Sequence, residues 1–374
     1  MTLAPKPQAQ PARPYRVMIA DDSAVVRGLV SRWLAERPEF EVVAIAGDGG
    51  QAVKRAGEID ADLCVLDVEM PVLSGLEALP KILALRPQMK VIMCSTLTHQ
   101  GASVTLKALD LGAADYVAKP EATRIGGATA FRDELLSKLI RLGEAKARRA
   151  AIQAPSATRA APAPMPSPPP AAAASAPRRL ANAPLITVIG SSTGGPPALR
   201  TVLSDLGPAW PTPIAIVQHM PATFTKILAE HLSTACKMKV QEARHGEAMD
   251  AGCAYVAPGD WHLTLRRGPR PIAQLDQDPA ENWCRPAVDK LYRSAAATYG
   301  GGVLAIILTG MGHDGREGAR ALVAKGATVL AQDEASSVVW GMPGAVVEAG
   351  LASQIAPISQ IGQAAWNLAK GNAA

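Results

Sequence analysis

The chain has 374 residues, of which 48% are apolar, 19% charged and 4% aromatic. That is enough apolar sequence for two cores with connecting segments, and it excludes wholesale disorder. The net charge of +5 is unevenly spread: residues 1–13 carry +2, 14–135 carry −4, 136–182 carry +7 and 183–374 carry none. The basicity therefore sits in one short segment and not on a domain face, so no nucleic-acid partner is expected. The five cysteines (Cys64, Cys94, Cys236, Cys253 and Cys284) are scattered, without a C-x-x-C pair. A disulfide framework or zinc ribbon is not expected, and a reducing cytoplasm fits best. The opening MTLAPKPQAQPARPY lacks an apolar core, and no run of 18 apolar residues occurs. Neither a signal peptide nor membrane insertion is expected.

After a tail over residues 1–13, the sequence alternates short apolar runs with helical patterns. RVMIA (16–20) reads as a strand that ends at Asp21-Asp22. Ser23 is placed to cap a helix whose apolar residues Val25, Val26, Leu29, Val30, Trp33 and Leu34 share one face. EVVAIA (41–46), DLCVL (62–66), KVIMC (90–94) and DYVA (115–118) are four further strands, followed by Asp67, Ser95 and Lys119 at three of their ends. Near-continuous apolar strands between helices imply a buried parallel sheet, and sites in such sheets form at the carboxyl ends of strands. Asp21, Asp22 and Asp67 converge there. Three close carboxylates repel unless a cation joins them, and an oxygen-only set suits Mg²⁺. With Lys119 and Ser95 added, the site can hold a phosphoryl group.

The segments IADDS, VLDVEMP, MCST and YVAKP resemble those of a response-regulator receiver domain, over about residues 14–135. The resemblance implies a five-stranded flavodoxin-like fold with Asp67 as phospho-acceptor. It implies Mg²⁺ held by Asp21, Asp22, Asp67 and the backbone carbonyl of Glu69. Ser95, Tyr116 and Lys119 match the switch hydroxyl, switch aromatic and lysine, and Lys119–Pro120 matches the usual cis peptide. The histidine kinase of a chemotaxis pathway would be the phosphodonor.

Residues 136–183 read as a helical stretch and then an Ala/Pro-rich linker around APAPMPSPPP, which cannot bury a core. Beyond it, LITVIG (185–190) is a buried-type strand running into a G-x-S-x-G turn at Gly190–Gly194. Such a turn can project a serine, cradle a phosphate or be purely structural; it is neither a P-loop nor a dinucleotide fingerprint. IAIV (214–217) ends near His219, a candidate base or a structural histidine. VLAIIL (303–308) leads into a Gly-rich turn with Asp314. Asp314 can orient His219 through Nδ1–H or cap the helix REGARALVAK that follows it. His313 is a rival base, but it adjoins Asp314 in sequence and would point elsewhere. The order Ser192, His219, Asp314 differs from that of the α/β-hydrolases, so the turn does not assign that fold.

GSSTGG, VQHMP, YVAPGDWH, RPAVD, LTGMGHDG and VVWGMP together resemble the chemotaxis protein-glutamate methylesterases of the CheB family, over about residues 184–366. The expected architecture is therefore α/β with two parallel-sheet domains, the receiver and a larger doubly wound methylesterase domain over 184–370. The resemblance implies Ser192 as nucleophile, His219 as base, Asp314 as its orienting acid and the Met311 backbone amide in the oxyanion hole, with no cofactor at this site. It implies demethylation of glutamate γ-methyl esters and deamidation of glutamines on chemoreceptors by a monomer gated through its receiver. The linker is longer than a short helical connector, and His313 stands where Asn is frequent. A receptor-binding module without much catalysis and a transcription regulator are the competing classes. The intact Ser, His and Asp positions oppose the first. The neutral charge of 183–374 and the lack of a helix-turn-helix pattern oppose the second. Trp340–Pro343 reads as packing.

Overall fold

A computed structural model describes residues 13–96, 98–119, 127–153 and 183–370. The expected tail up to residue 12, the Lys119–Pro120 bond and the Ala/Pro segment after residue 153 lie outside the described residues. The chain divides into two compact units at Ile152–Gln153.

The first unit contains β1 (Tyr15–Ala20), α1 (Ala24–Ala35), β2 (Phe40–Ala46), α2 (Gly49–Glu58) and β3 (Leu63–Asp67). It continues with α3 (Gly75–Leu85), β4 (Lys90–Thr96), α4 (His99–Asp110), β5 (Asp115–Lys119) and α5 (Gly127–Gln153). The five strands are all parallel, in the order β2-β1-β3-β4-β5. This is the doubly wound arrangement whose switch point opens between β1 and β3. Every residue of β3 is buried, as a strand covered on both faces requires. Ser23 caps α1 by accepting from Val26 N–H, as its position after the strand implied. Only Val30, Trp33 and Leu34 of the expected apolar face are buried; Val25 and Leu29 are exposed. That face is a narrow stripe, because the first turn of α1 lies at the rim of the sheet, beside the acidic pair. Arg13, the last residue of the expected tail, forms a two-pronged ion pair with buried Asp62.

The second unit opens with β6 (Ile186–Ser191), α6 (Gly195–Leu206), β7 (Ile214–Gln218), α7 (Ala222–Ala235), β8 (Lys239–Glu242) and β9 (Cys253–Val256). An antiparallel pair, β10 (His262–Arg266) and β11 (Ile272–Asp276), precedes α8 (Val288–Tyr299), β12 (Val303–Ile307) and α9 (Arg316–Ala324). β13 (Thr328–Gln332), α10 (Met342–Glu348), β14 (Gln354–Ala356) and α11 (Ile358–Ala369) complete it. Seven parallel strands run in the order β14-β13-β12-β6-β7-β9-β8. β6 lies between β12 and β7, so the three strand ends singled out in the sequence are neighbours. Among the described residues no helix is long and apolar enough to cross a membrane.

Candidate functional site

In the first unit, Asp21, Asp22 and Asp67 present carboxylate oxygens within 4.8 Å of one another. Asp21 and Asp67 are buried, whereas Asp22 is exposed. Lys119, at the end of β5, bridges them: its Nζ lies 2.8 Å from Asp21 Oδ2 and 2.8 Å from Asp67 Oδ2. Burial pushes the Asp67 carboxyl up to about 6; Lys119 opposes this, while Asp21 and Asp22 add to it. One lysine does not offset three clustered carboxylates, and the donor set is all oxygen, so the residues fit a Mg²⁺ ion. Glu69 sits two residues beyond Asp67, exposed, in the loop that follows β3. Ser95 is buried at the end of β4 and donates to Thr96 C=O at 3.3 Å. Tyr116 is buried, with Lys138 Nζ 5.0 Å from its ring centroid and bonded to its backbone carbonyl.

In the second unit the turn after β6 is tied to both neighbouring strands. Ser192 N–H donates to Thr309 C=O at 3.0 Å, and His219 N–H donates to Ser191 C=O at 3.1 Å. Gln218, the last residue of β7 and 2% exposed, accepts from Ser191 Oγ at 2.7 Å. Its Nε2 donates to Ser192 C=O at 2.9 Å and His219 C=O at 3.2 Å. Only glycine fits at 195, where a Cβ would meet Gln218 Oε1 at 1.9 Å. Gly194 adopts φ +74°, the left-handed conformation that starts α6 without a side-chain cap.

His219 Nε2 lies 2.8 Å from Asp314 Oδ2. The sequence reading had placed this contact at Nδ1. Asp314 is itself fixed by four other donors: Val288 N–H (2.7 Å), Asp289 N–H (2.9 Å), Gly315 N–H (3.0 Å) and Asn282 Nδ2 (2.9 Å). Val288 and Asp289 open α8, whose N-cap Ala287 makes no side-chain bond. Asp314 therefore caps α8 and not the helix that follows it in sequence. In return, buried Asp289 on α8 accepts from Gly318 N–H in the first turn of α9, at 2.6 Å. Burial pushes the Asp314 carboxyl up, but its bond to His219, that ring's charge and the two α8 amides outweigh it and hold it below the ordinary value. Burial alone would lower His219; Asp314 and Cys284 override it, and the ring holds its proton firmly.

His219 Nδ1 is left facing Cys284, whose Sγ lies 3.6 Å away. His313 is exposed, outside the pair. Met311 follows Gly310, which a returning segment pins: Gly341 and Met342 N–H both donate to Gly310 C=O, at 3.0 and 2.9 Å. The Trp340–Pro343 segment thus packs, as expected, and also shapes the loop carrying Met311. Trp283 is 99% exposed, beside Cys284, with φ +64°. Gln218, Asn282, Asp289 and Cys284 were not singled out in the sequence as members of a site. Gln218 and Asp289 lie inside the recognised VQHMP and RPAVD segments, whereas Asn282 and Cys284 belong to a loop without periodicity.

Two parallel-sheet units, one with an acid–lysine cluster at its switch point and one with a serine turn beside a His–Asp pair, define a receiver-type module joined to a hydrolase-type α/β unit. The family model described as "Response regulator receiver domain" matches residues 17–125, and that described as "CheB methylesterase" matches residues 187–365. Protein-glutamate methylesterase/protein-glutamine glutaminase 2 of Caulobacter vibrioides is 53% identical over 350 residues, covering 93% of this chain and 96% of the relative. The protein-glutamate methylesterase/protein-glutamine glutaminase of Maricaulis maris is 49% identical over 394 residues, covering 98% of each. The crystal structure of the CheB methylesterase catalytic domain of Thermotoga maritima aligns at 42% identity with a TM-score of 0.48, covering 50% of this chain and 98% of that one. The chain belongs to the receiver-bearing CheB family of protein-glutamate methylesterases/protein-glutamine glutaminases.

Proposed function

We propose that the chain hydrolyses glutamate γ-methyl esters on cytoplasmic regions of chemoreceptors and deamidates certain of their glutamines, under the control of phosphorylation at Asp67. The observation that carries this reading is the His219–Asp314 pair set against the serine turn of β6, in a chain of this family.

Ser192 Oγ attacks the side-chain carbonyl. With Nε2–H held by Asp314, the base is His219 Nδ1, which takes the serine proton. The imidazolium that forms is stabilised by the Asp314 carboxylate against Nε2. The tetrahedral oxyanion is held by backbone N–H groups of the turns, Met311 among them. His219 returns the proton to methanol, or to ammonia from a glutamine, and water then hydrolyses the glutamyl-serine ester.

In the receiver, the Asp67 carboxylate accepts the phosphoryl group, and Lys119 is placed to hold a phosphate oxygen. Mg²⁺, held by Asp21, Asp22, Asp67 and the Glu69 carbonyl, would neutralise charge there. Ser95 and Tyr116 respond to the new charge, and a receiver shifted between two states changes access to the esterase. A chemotaxis histidine kinase is the phosphodonor in this reading.

Methanol release from methylated receptor membranes tests it, with and without a small phosphodonor plus Mg²⁺. Ser192→Ala is expected to lower the rate by about 10⁴-fold or more, and Asp67→Ala to abolish the response to phosphodonor. Release that is indifferent to Ser192 would leave a receptor-binding module as the better reading.

A further inference from the structure

The ring nitrogen of His219 turned away from Asp314 is not alone. Nδ1 and Cys284 Sγ are 3.6 Å apart, and the donor atoms of His219, Cys284 and Asp314 all lie within 4.8 Å of one another. With Zn–N of about 2.0–2.1 Å and Zn–S of about 2.3 Å at a tetrahedral angle, two donors of one zinc ion stand about 3.6 Å apart. The observed spacing is that of such a pair. Asp314 already accepts from five groups and has little left for a metal. It is instead the carboxylate behind the histidine, fixing the ring so that its other nitrogen points outward, an arrangement that recurs at zinc-bound histidines. His219 and Cys284 are both half-buried, so they are neither sealed off nor fully solvated. The nearby guanidinium groups are committed elsewhere: Arg285 donates to the carbonyls of Gln277 and Asp278, and Arg293 pairs with Glu281.

We propose that His219 Nδ1 and Cys284 Sγ form a binding site for a thiophilic divalent cation of the zinc type, and that the cation, once bound, silences the esterase by occupying the nitrogen that acts as base. The binding site stands on this geometry alone, while the silencing rests on the esterase reading above. A thiolate–imidazole pair selects Zn²⁺ over Mg²⁺, whereas the oxygen-only cluster of the receiver favours Mg²⁺, so the two sites of the chain divide these cations by chemistry.

Co²⁺ serves as the probe, titrated into the full-length, reduced protein. Cobalt bound to a thiolate absorbs by sulfur-to-metal charge transfer, which cobalt bound to the receiver carboxylates does not. The band is expected in the parent protein and in Cys253→Ala, and is expected to be lost in Cys284→Ala and Cys284→Ser; Zn²⁺ should displace it. Far-UV circular dichroism checks that the variants are folded, and the backbone pairing of Cys284 with Glu281 is open to alanine and serine alike. No band in the parent, or a band that persists in both Cys284 variants, overturns the site. In the same samples, Zn²⁺ should abolish methanol release and a chelator restore it. The band with unaffected release overturns the silencing, and the band with no Ser192-dependent release at all overturns the esterase reading while the cation site stands.

Discussion

Gln218 touches no group expected to react, yet it bonds the backbone of both neighbouring turns, at Ser192 and at His219. It is a positioning residue. Gln218→Leu leaves the buried Ser191 hydroxyl without its acceptor and takes a donor from the His219 carbonyl, while the Ser192 carbonyl keeps Gly195 N–H, a cost of about 1–3 kcal/mol in stability. A misplacement of the order of 1 Å at a reacting pair costs about 10²-fold. The expected outcome is therefore a fall in kcat of that size with KM nearly unchanged, measured by initial rates of methanol release; a change confined to KM would show that Gln218 meets the substrate instead. At this scale the sequence was legible where a polar residue ends an apolar strand: Asp67, His219 and the Asp21-Asp22 pair were all found that way. Asp314 was legible as a member of the Gly-rich turn. Which nitrogen of His219 it would meet was not, because the spacing of two residues distant in sequence carries no side-chain rotamer. Cys284 and Asn282 were missed for a related reason: both reach His219 or Asp314 from a loop whose path no periodicity reports.

Two helices exchange caps: Asp314 closes α8 and Asp289 closes α9. Each bond satisfies an N–H that a helix start leaves open, and a cap is worth about 1 kcal/mol. The exchange explains why the sequence offers the following helix as the alternative role for Asp314: a cap is normally local, and nothing in the spacing reveals one supplied to another helix. The strands of the first unit were read to within about two residues, since each is a continuous apolar run. In the second unit β8 to β11 are only four or five residues long, and they escaped notice. In the first unit, Asp62 before β3 gathers Arg13, Lys146 and the Arg16 N–H. Burial pushes Asp62 up, but Lys146, the Arg16 amide and the charge of Arg13 outweigh it and hold the group below 3.8. Its contribution to stability is thus fully present above pH 3.8 and is lost as the pH falls through the still lower folded value. Asp62→Asn is expected to cost the receiver about 2 kcal/mol at neutral pH. The gap to the parent should close on acidification below that range, as read from melting curves at a series of pH values.

Two compact units with separate cores are expected to melt in separate transitions. Mg²⁺ binds the folded acidic cluster and not the unfolded chain, so it should raise the receiver transition alone, and a chelator should reverse the rise. Calorimetry of the full chain decides this; a rise in the second transition would place a magnesium site where no oxygen cluster has been found among the described residues. The organisation into two domains was legible from composition and from the two motif sets, but the strand orders were not, because parallel neighbours are set by crossovers and not by adjacency in sequence. The tryptophans are distributed to optical advantage. The receiver holds one of the six, Trp33, in its core. Of the five in the second unit, Trp283 stands bare in water one residue from Cys284, Trp261 is 38% exposed, Trp210 is sealed, and Trp340 and Trp366 are half-covered. An indole so placed emits at the red end of the protein's fluorescence and is the first to meet a dissolved quencher. The molecule thus carries its own lamp on the loop of Cys284, and whatever covers that loop can be followed by light without a label.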